Sequence, residues 1–307
     1  MVLCECFARD GLQHEARFVA TAVKIEAIER FAGLGFARVE ATSYAHPKHV
    51  PQFADADAVL AGIARRAGVR YKATCVNLRA LERALDAAAA GRGPSEVSVL
   101  VSASESHTRR NLNRSREEQW RIVEEMVAAA AQRFVLIGTI SVALGCPFEG
   151  RVDPACVAAA ARRLGALGVR HIAIGDTTGM GNPRSVAQLF RRLRDEVPGM
   201  TWIAHFHDTR GTAIANCIAA YEAGVRHFDS AFGGVGGHPT NIQYGEGYTG
   251  NVCTEDLATV FEAMGVSTGL DMSRLLETAA FCEAALGRPL RSMVARSGLG
   301  LAEAAHV

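Results

Sequence analysis

The chain has 307 residues, 49% of them hydrophobic and 21% charged, with 33 basic and 32 acidic side chains and a formal net charge of +1. That balance removes the electrostatic case for nucleic acid or an anionic membrane as a partner, while the apolar fraction suffices for a large core. No apolar run reaches the roughly 18 residues of a membrane span, and the first residues lack the basic start and long apolar stretch of a signal peptide, so the expectation is a cytoplasmic protein. Eight cysteines, at positions 4, 6, 75, 146, 156, 217, 253 and 282, show no CxxC or zinc spacing and are expected to be reduced, mostly buried thiols.

Runs rich in β-formers recur along the chain. Strands are predicted at residues 2–8, 37–42, 71–76, 96–102, 134–142, 171–175, 201–207 and 227–231. Between them, residues 20–32, 54–66, 78–90, 115–131, 154–167, 183–196 and 211–223 place apolar side chains three or four apart, the helical period. Asp153-Pro154 and Asn182-Pro183 read as helix starts, and Gly35, Gly168 and Gly224 as helix stops. Eight alternating β and α units predict an α/β fold, a closed (β/α)₈ TIM barrel. An open doubly wound sheet is the competing topology, but no GxGxxG follows the first strand. Residues 254–307 are expected to be a C-terminal helical extension of one catalytic domain spanning 1–307.

In such barrels the chemistry sits at the carboxyl ends of the strands, and the polar residues of this chain gather there. His205-Phe206-His207 puts two imidazoles on one face of a strand, because side chains alternate with period two. With Asp10, at the end of the neighbouring first strand, they offer two nitrogens and a carboxylate to one divalent cation. Mg²⁺ or Mn²⁺ suits that set, with zinc also compatible; a pair of hydrogen-bonded barrel histidines is the plainer alternative. Arg9, beside Asp10, is placed to neutralise it or to hold a developing oxyanion. Glu40 and Asp176 end the second and sixth strands, as ligand-orienting or capping groups. Gln13, Ser43 and Thr178 at strand ends, with Lys48 and Arg17 beyond, are candidates for substrate contacts. The glycine-rich segment 233–250 reads as a mobile loop or as a lid over the barrel mouth.

Assembled in order, these stretches resemble the 3-hydroxy-3-methylglutaryl-CoA lyase family, within the metal-dependent barrels that include isopropylmalate and homocitrate synthases. The matching motifs are Arg9-Asp10-Gly11-Leu12-Gln13 with Glu15, Val39-Glu40-Ala41-Thr42-Ser43, and Pro47-Lys48-His49-Val50-Pro51-Gln52. Ser104-Glu105-Ser106, Asn111-Leu112-Asn113, Ala143-Leu144-Gly145-Cys146-Pro147-Phe148-Glu149-Gly150 and Gly175-Asp176-Thr177 follow. His205-Phe206-His207-Asp208-Thr209 and Gly250-Asn251-Val252-Cys253-Thr254-Glu255-Asp256 complete them. Leu12 and Asp208 favour the lyase branch over the synthases. The resemblance implies metal ligands at Asp10, His205, His207 and Asn251, and catalytic roles for Arg9, Glu40, Asp176 and His205. It also implies an acyl-CoA substrate and a homodimer; Lys48 and Arg17 are candidates for contacts to the CoA phosphates, with a solvated surface role as the equal alternative.

One departure bears on the substrate. Where the family carries a catalytic cysteine in a Gly-Gly-Cys-Pro context, this chain reads Gly236-Gly237-His238-Pro239. An imidazole transfers protons, so His238 enters as a fifth catalytic candidate, with an exposed loop histidine as the alternative. The expected reaction is a metal-dependent retro-aldol cleavage of 3-hydroxy-3-methylglutaryl-CoA to acetoacetate and acetyl-CoA. The altered loop leaves two further readings: a lyase for a related hydroxyacyl-CoA such as citramalyl-CoA, and a non-catalytic ligand-binding descendant.

Overall fold

The computed structural model describes residues 1–130, 132–237 and 249–300. Eight parallel strands close into a barrel in sequence order: β1 (Val2–Glu5), β2 (Arg38–Ser43), β3 (Arg70–Thr74), β4 (Glu96–Ser102), β5 (Val135–Ser141), β6 (His171–Asp176), β7 (Thr201–Phe206) and β8 (His227–Ser230). Closure is made by β1 against β8, with Cys4 opposite Asp229. The (β/α)₈ expectation holds, and the open-sheet alternative does not.

The helices are α1 (Thr21–Leu34), α2 (Ala56–Gly62), α3 (Leu78–Ala89), α4 (Glu105–Leu112), α5 (Arg116–Ala130), α6 (Pro154–Ala166), α7 (Pro183–Glu196), α8 (Ala213–Glu222), α9 (Thr254–Ala263), α10 (Leu275–Leu286) and α11 (Val294–Ser297). The sequence of α7 shows why they form. Asn182 accepts from the Ser185 amide while Ser185 Oγ accepts from the Asn182 amide, and Pro183 opens the first turn. Its buried stripe of Val186, Leu189, Phe190 and Leu193 follows the helical period and packs toward the barrel. α6 starts as expected, with Asp153 accepting from the Ala155 amide. Gly35 stops α1 at φ 112°, where a Cβ would also stand 2.4 Å from the Gly269 carbonyl oxygen.

Three expectations are corrected and one helix is added. The first strand ends at Glu5, not at residue 8, because Phe7–Gly11 winds into a π-helical turn. The seventh ends at Phe206, and His207 continues it only as an isolated bridge to Asn251. The helix expected at 54–66 is confined to Ala56–Gly62, preceded by a tight turn at Pro51–Phe53. Glu105–Leu112, unassigned from sequence, is a helix capped by Ser104. In addition, α9 is the first α-helix after β8 among the described residues, beyond a short 3-10 turn at Phe232–Gly234.

The core lies between strands and helices. Phe31 is fully buried, stacked on Phe232 at 5.3 Å and edge-on to Phe7 and Phe36. Truncating such a ring to alanine costs about 3–5 kcal/mol. A separate small cluster of Ile137, Ala173 and Ile203 joins strands β5, β6 and β7, and buried charged residues, among them Arg38, Lys72 and Asp229, share the strands.

Candidate active site

The mouth of the barrel is built from the turn after β1, the ends of β2, β6 and β7, and the segment after β8. The π-helical turn Phe7–Gly11 carries Arg9 and Asp10.

Asp10, His205 and His207 converge. Their ligand-type atoms all lie within 4.8 Å of one another. Asp10 Oδ2 is 3.4 Å from His207 Nε2 and 3.9 Å from His205 Nε2. Asn251 joins them across the bridge to His207, its Nδ2 donating to Asp10 Oδ2 at 2.7 Å and to the Val235 carbonyl at 2.9 Å. Its Oδ1 is buried with no hydrogen-bond partner. Burial alone would raise the Asp10 pKa, but Arg9, then His207 and His205, hold it well below the usual carboxylate range.

This donor set fits a divalent cation. Asp229 is ionised, since Lys72, His205 and Arg38 outweigh its burial and lower its pKa. It therefore accepts from His205 Nδ1 at 3.2 Å, which leaves the Nε2 lone pair facing Asp10 and His207. The unpartnered Asn251 Oδ1 is a further neutral oxygen at the same place.

Arg9 pairs twice, with Asp10 Oδ1 at 2.6 Å and with Glu40 Oε1 at 2.7 Å. Glu40, fully buried on β2, also accepts from Thr74 Oγ1 at 2.7 Å. Burial would raise its pKa, but Arg9 and Lys72 lower it. The guanidinium is thus fixed at the rim, its side chain 15% exposed, with one edge toward the mouth.

The other candidates divide. Gln13 donates to the Gly237 carbonyl at 2.9 Å and so holds the start of the glycine-rich loop. Asp176 spends both oxygens on the turn after β6, accepting from the Met180 and Gly181 amides at 2.9 and 3.0 Å, and burial raises its pKa. Thr178 is buried near that turn with an unpartnered hydroxyl. Ser43 is 3% exposed, donates to the Thr74 carbonyl and accepts from the Ala45 amide. Lys48 is exposed on the turn after β2. His238 lies outside the described residues.

Sequence reasoning missed the charged interior beneath the site. Lys72 on β3 is 3% exposed, 3.3 Å from Asp229 Oδ2 and 3.4 Å from Glu40 Oε2. Arg38 lies lower, paired with Glu96 at 2.9 Å. A signal was present: charged residues inside predicted barrel strands have to be paired. The close approach of Gly236 was missed too. A Cβ there would lie 2.2 Å from Asn251 Nδ2 and 3.2 Å from Asp10 Oδ2, at φ 135°. A surface groove of about 430 Å³ between α2 and α3, lined by Asp57, Arg83, Asp86 and Arg92, shares no residue with this site.

A profile of the HMGL-like family matches residues 1–282. The chain belongs to that family. The hydroxymethylglutaryl-CoA lyase of Rattus norvegicus, a mitochondrial protein, is 40% identical over 296 residues, covering 96% of this chain and 88% of its own. The cytoplasmic 3-hydroxy-3-methylglutaryl-CoA lyase of Danio rerio is 39% identical, with 96% and 86% covered. Among solved structures, an HMG-CoA lyase from Acinetobacter baumannii in complex with coenzyme A and 3-methylmalate superposes with a TM-score of 0.92 at 34% identity, covering 98% of this chain and 96% of that one. No helix among the described residues is long and apolar enough to cross a membrane.

Proposed function

We propose that the chain is a divalent-metal-dependent carbon–carbon lyase that cleaves 3-hydroxy-3-methylglutaryl-CoA to acetoacetate and acetyl-CoA. The observation that carries the reading is the convergence of Asp10, His205 and His207 beside Arg9 in an HMGL-like barrel. Asp10, His205, His207 and Asn251 would hold Mg²⁺ or Mn²⁺, which when bound supplies Lewis-acid polarisation to a substrate hydroxyl or carbonyl oxygen.

The chain's own groups account for the rest. The tertiary hydroxyl gives up its proton, the C–C bond breaks with its electron pair passing to the carbon next to the thioester, and that carbon takes up a proton. Arg9, held by Glu40, presents a fixed cation to the enolate oxygen as charge develops. Asp176, the acidic group whose pKa burial raises, is the candidate for handling the hydroxyl proton, directly or through water. His238 is assigned the protonation of the departing carbon. Lys48 and Arg17 are assigned to the coenzyme A phosphates, and Gln13 and Thr178 to the acyl end. A cytoplasmic setting, shared with some of the curated relatives, and a homodimer complete the reading.

A second reading keeps the chemistry and changes the acyl group to a malate-type one such as citramalyl-CoA, which yields pyruvate. One observation favours it: His238 stands in place of the family's cysteine. Purified protein assayed with both thioesters and Mg²⁺ or Mn²⁺ separates them. Acetoacetate supports the first and pyruvate the second. Absence of turnover with any hydroxyacyl-CoA leaves only a ligand-binding descendant. His238→Ala should abolish most turnover while sparing Mn²⁺ binding, and a wild-type rate would remove that side chain from the mechanism.

A further inference from the structure

We infer that Lys72 is a positioning residue that joins the two halves of the site, setting the orientation of His205 through Asp229 and that of Arg9 through Glu40. The inference rests on the reading of His205 as a metal ligand.

Lys72 projects from β3 into the barrel, buried to 3% exposure. Its Nζ donates to Asp229 Oδ2 at 3.3 Å and pairs with Glu40 Oε2 at 3.4 Å. Asp229 passes this on through the same Oδ2, which accepts from His205 Nδ1 at 3.2 Å. Glu40 passes it on through Oε1, 2.7 Å from Arg9 Nε. One ammonium group therefore serves two fully buried carboxylates, and each carboxylate grips a different working side chain. The alternative cation for Asp229, Arg38, is 3.7 Å away and better paired with Glu96. Among the described residues, Glu40 has Arg9 as its other ion-pair partner.

Lys72 is the shared contact that holds both carboxylates in place. Without it, Asp229 is free to turn Oδ2 away from His205 Nδ1, which releases that ring to rotate, and Glu40 is free to turn away from Arg9. A mere charge neighbour behaves in the opposite way, because deleting a cation next to a cation-binding site tightens that site.

The experiment compares Mn²⁺ affinity, read from the EPR signal of free Mn²⁺, in wild type, Lys72→Met and Asp229→Asn. Positioning predicts Mn²⁺ binding weakened about tenfold or more in both variants. It also predicts ¹⁵N spectra showing the His205 proton on Nδ1 in wild type and distributed over both nitrogens in the variants. A folded Lys72→Met protein with affinity within about twofold of wild type, or tighter, overturns the inference. Should Lys72→Met fail to fold, unchanged affinity and tautomer in Asp229→Asn overturn it equally. Wild type that binds no Mn²⁺ sinks the ligand reading itself, and this inference with it.

Discussion

His205 Nε2 and His207 Nε2 stand 3.3 Å apart, and His207 Nε2 is a further 3.4 Å from Asp10 Oδ2. With the His205 proton drawn to Nδ1 by Asp229, at least one lone pair in this small buried space faces a carboxylate. Chelation with EDTA should stop turnover, and added Mg²⁺ or Mn²⁺ should restore it. His207→Ala should weaken Mn²⁺ binding measured by calorimetry by at least about tenfold. Full activity after exhaustive chelation would dismiss the cation.

Arg9 is expected to separate binding from chemistry. Arg9→Met removes the fixed guanidinium but no ligand atom, so Mn²⁺ affinity should hold or tighten while kcat falls by about 10²–10³, the loss typical of one oxyanion-stabilising group. Steady-state kinetics beside a Mn²⁺ titration reads both. A fall in affinity with kcat intact would make Arg9 only the partner of Asp10.

Gly236 sits where side chains are forbidden. Gly236→Ala meets Asn251 Nδ2 at 2.2 Å and must also hold φ 135°. The expected result is a folded protein whose Mn²⁺ affinity is reduced about tenfold or more, because Asn251 and Asp10 are pushed apart. Thermal melting should change far less, since the strained turn lies at the rim rather than in the core. Unaltered metal affinity would mean that the loop stem yields freely.

Glu5 supplies a pH test of stability. Burial pushes its pKa up from 4.5 to about 8, against hydrogen bonds from Thr254, Phe232 and Phe7. The folded chain keeps this proton where the unfolded chain has lost it. The stabilisation is therefore complete below about pH 4.5 and is lost as pH rises toward 8, at up to about 1.4 kcal/mol per unit. Glu255, raised to about 7 by burial, acts in the same direction. Glu5→Gln should flatten the decline of melting temperature between pH 5 and 8. Parallel curves for wild type and variant would show that Glu5 is not the responsible group.

The barrel was legible because its signals are local. Pro183 with Asn182, the 3.6-residue stripe of α7 and the stop at Gly35 each act within a few residues. Asp10, His205 and His207 were legible too, since strand ends in a barrel share one face. Lys72 and Asp229 were not, although they meet at 3.3 Å across 157 residues of chain. Their partnership depends on which strands become neighbours around the closed sheet and on the inward register of each, which periodicity does not report. Ser43 shows that a strand-end hydroxyl can serve the next strand's backbone, which a sequence does not report.

Gly233, at the root of the glycine-rich segment, leaves no room for a methyl group. A Cβ there would stand 2.3 Å from Leu290 Cβ, and the Arg291 amide donates to the Gly233 carbonyl at 3.0 Å. The tail of the chain thus acts as a doorstop for the segment that leads into the mouth. Chains shortened ahead of Leu290 would keep every proposed ligand and still lose the hinge-side support, so their impairment would surface in turnover before it surfaced in metal uptake.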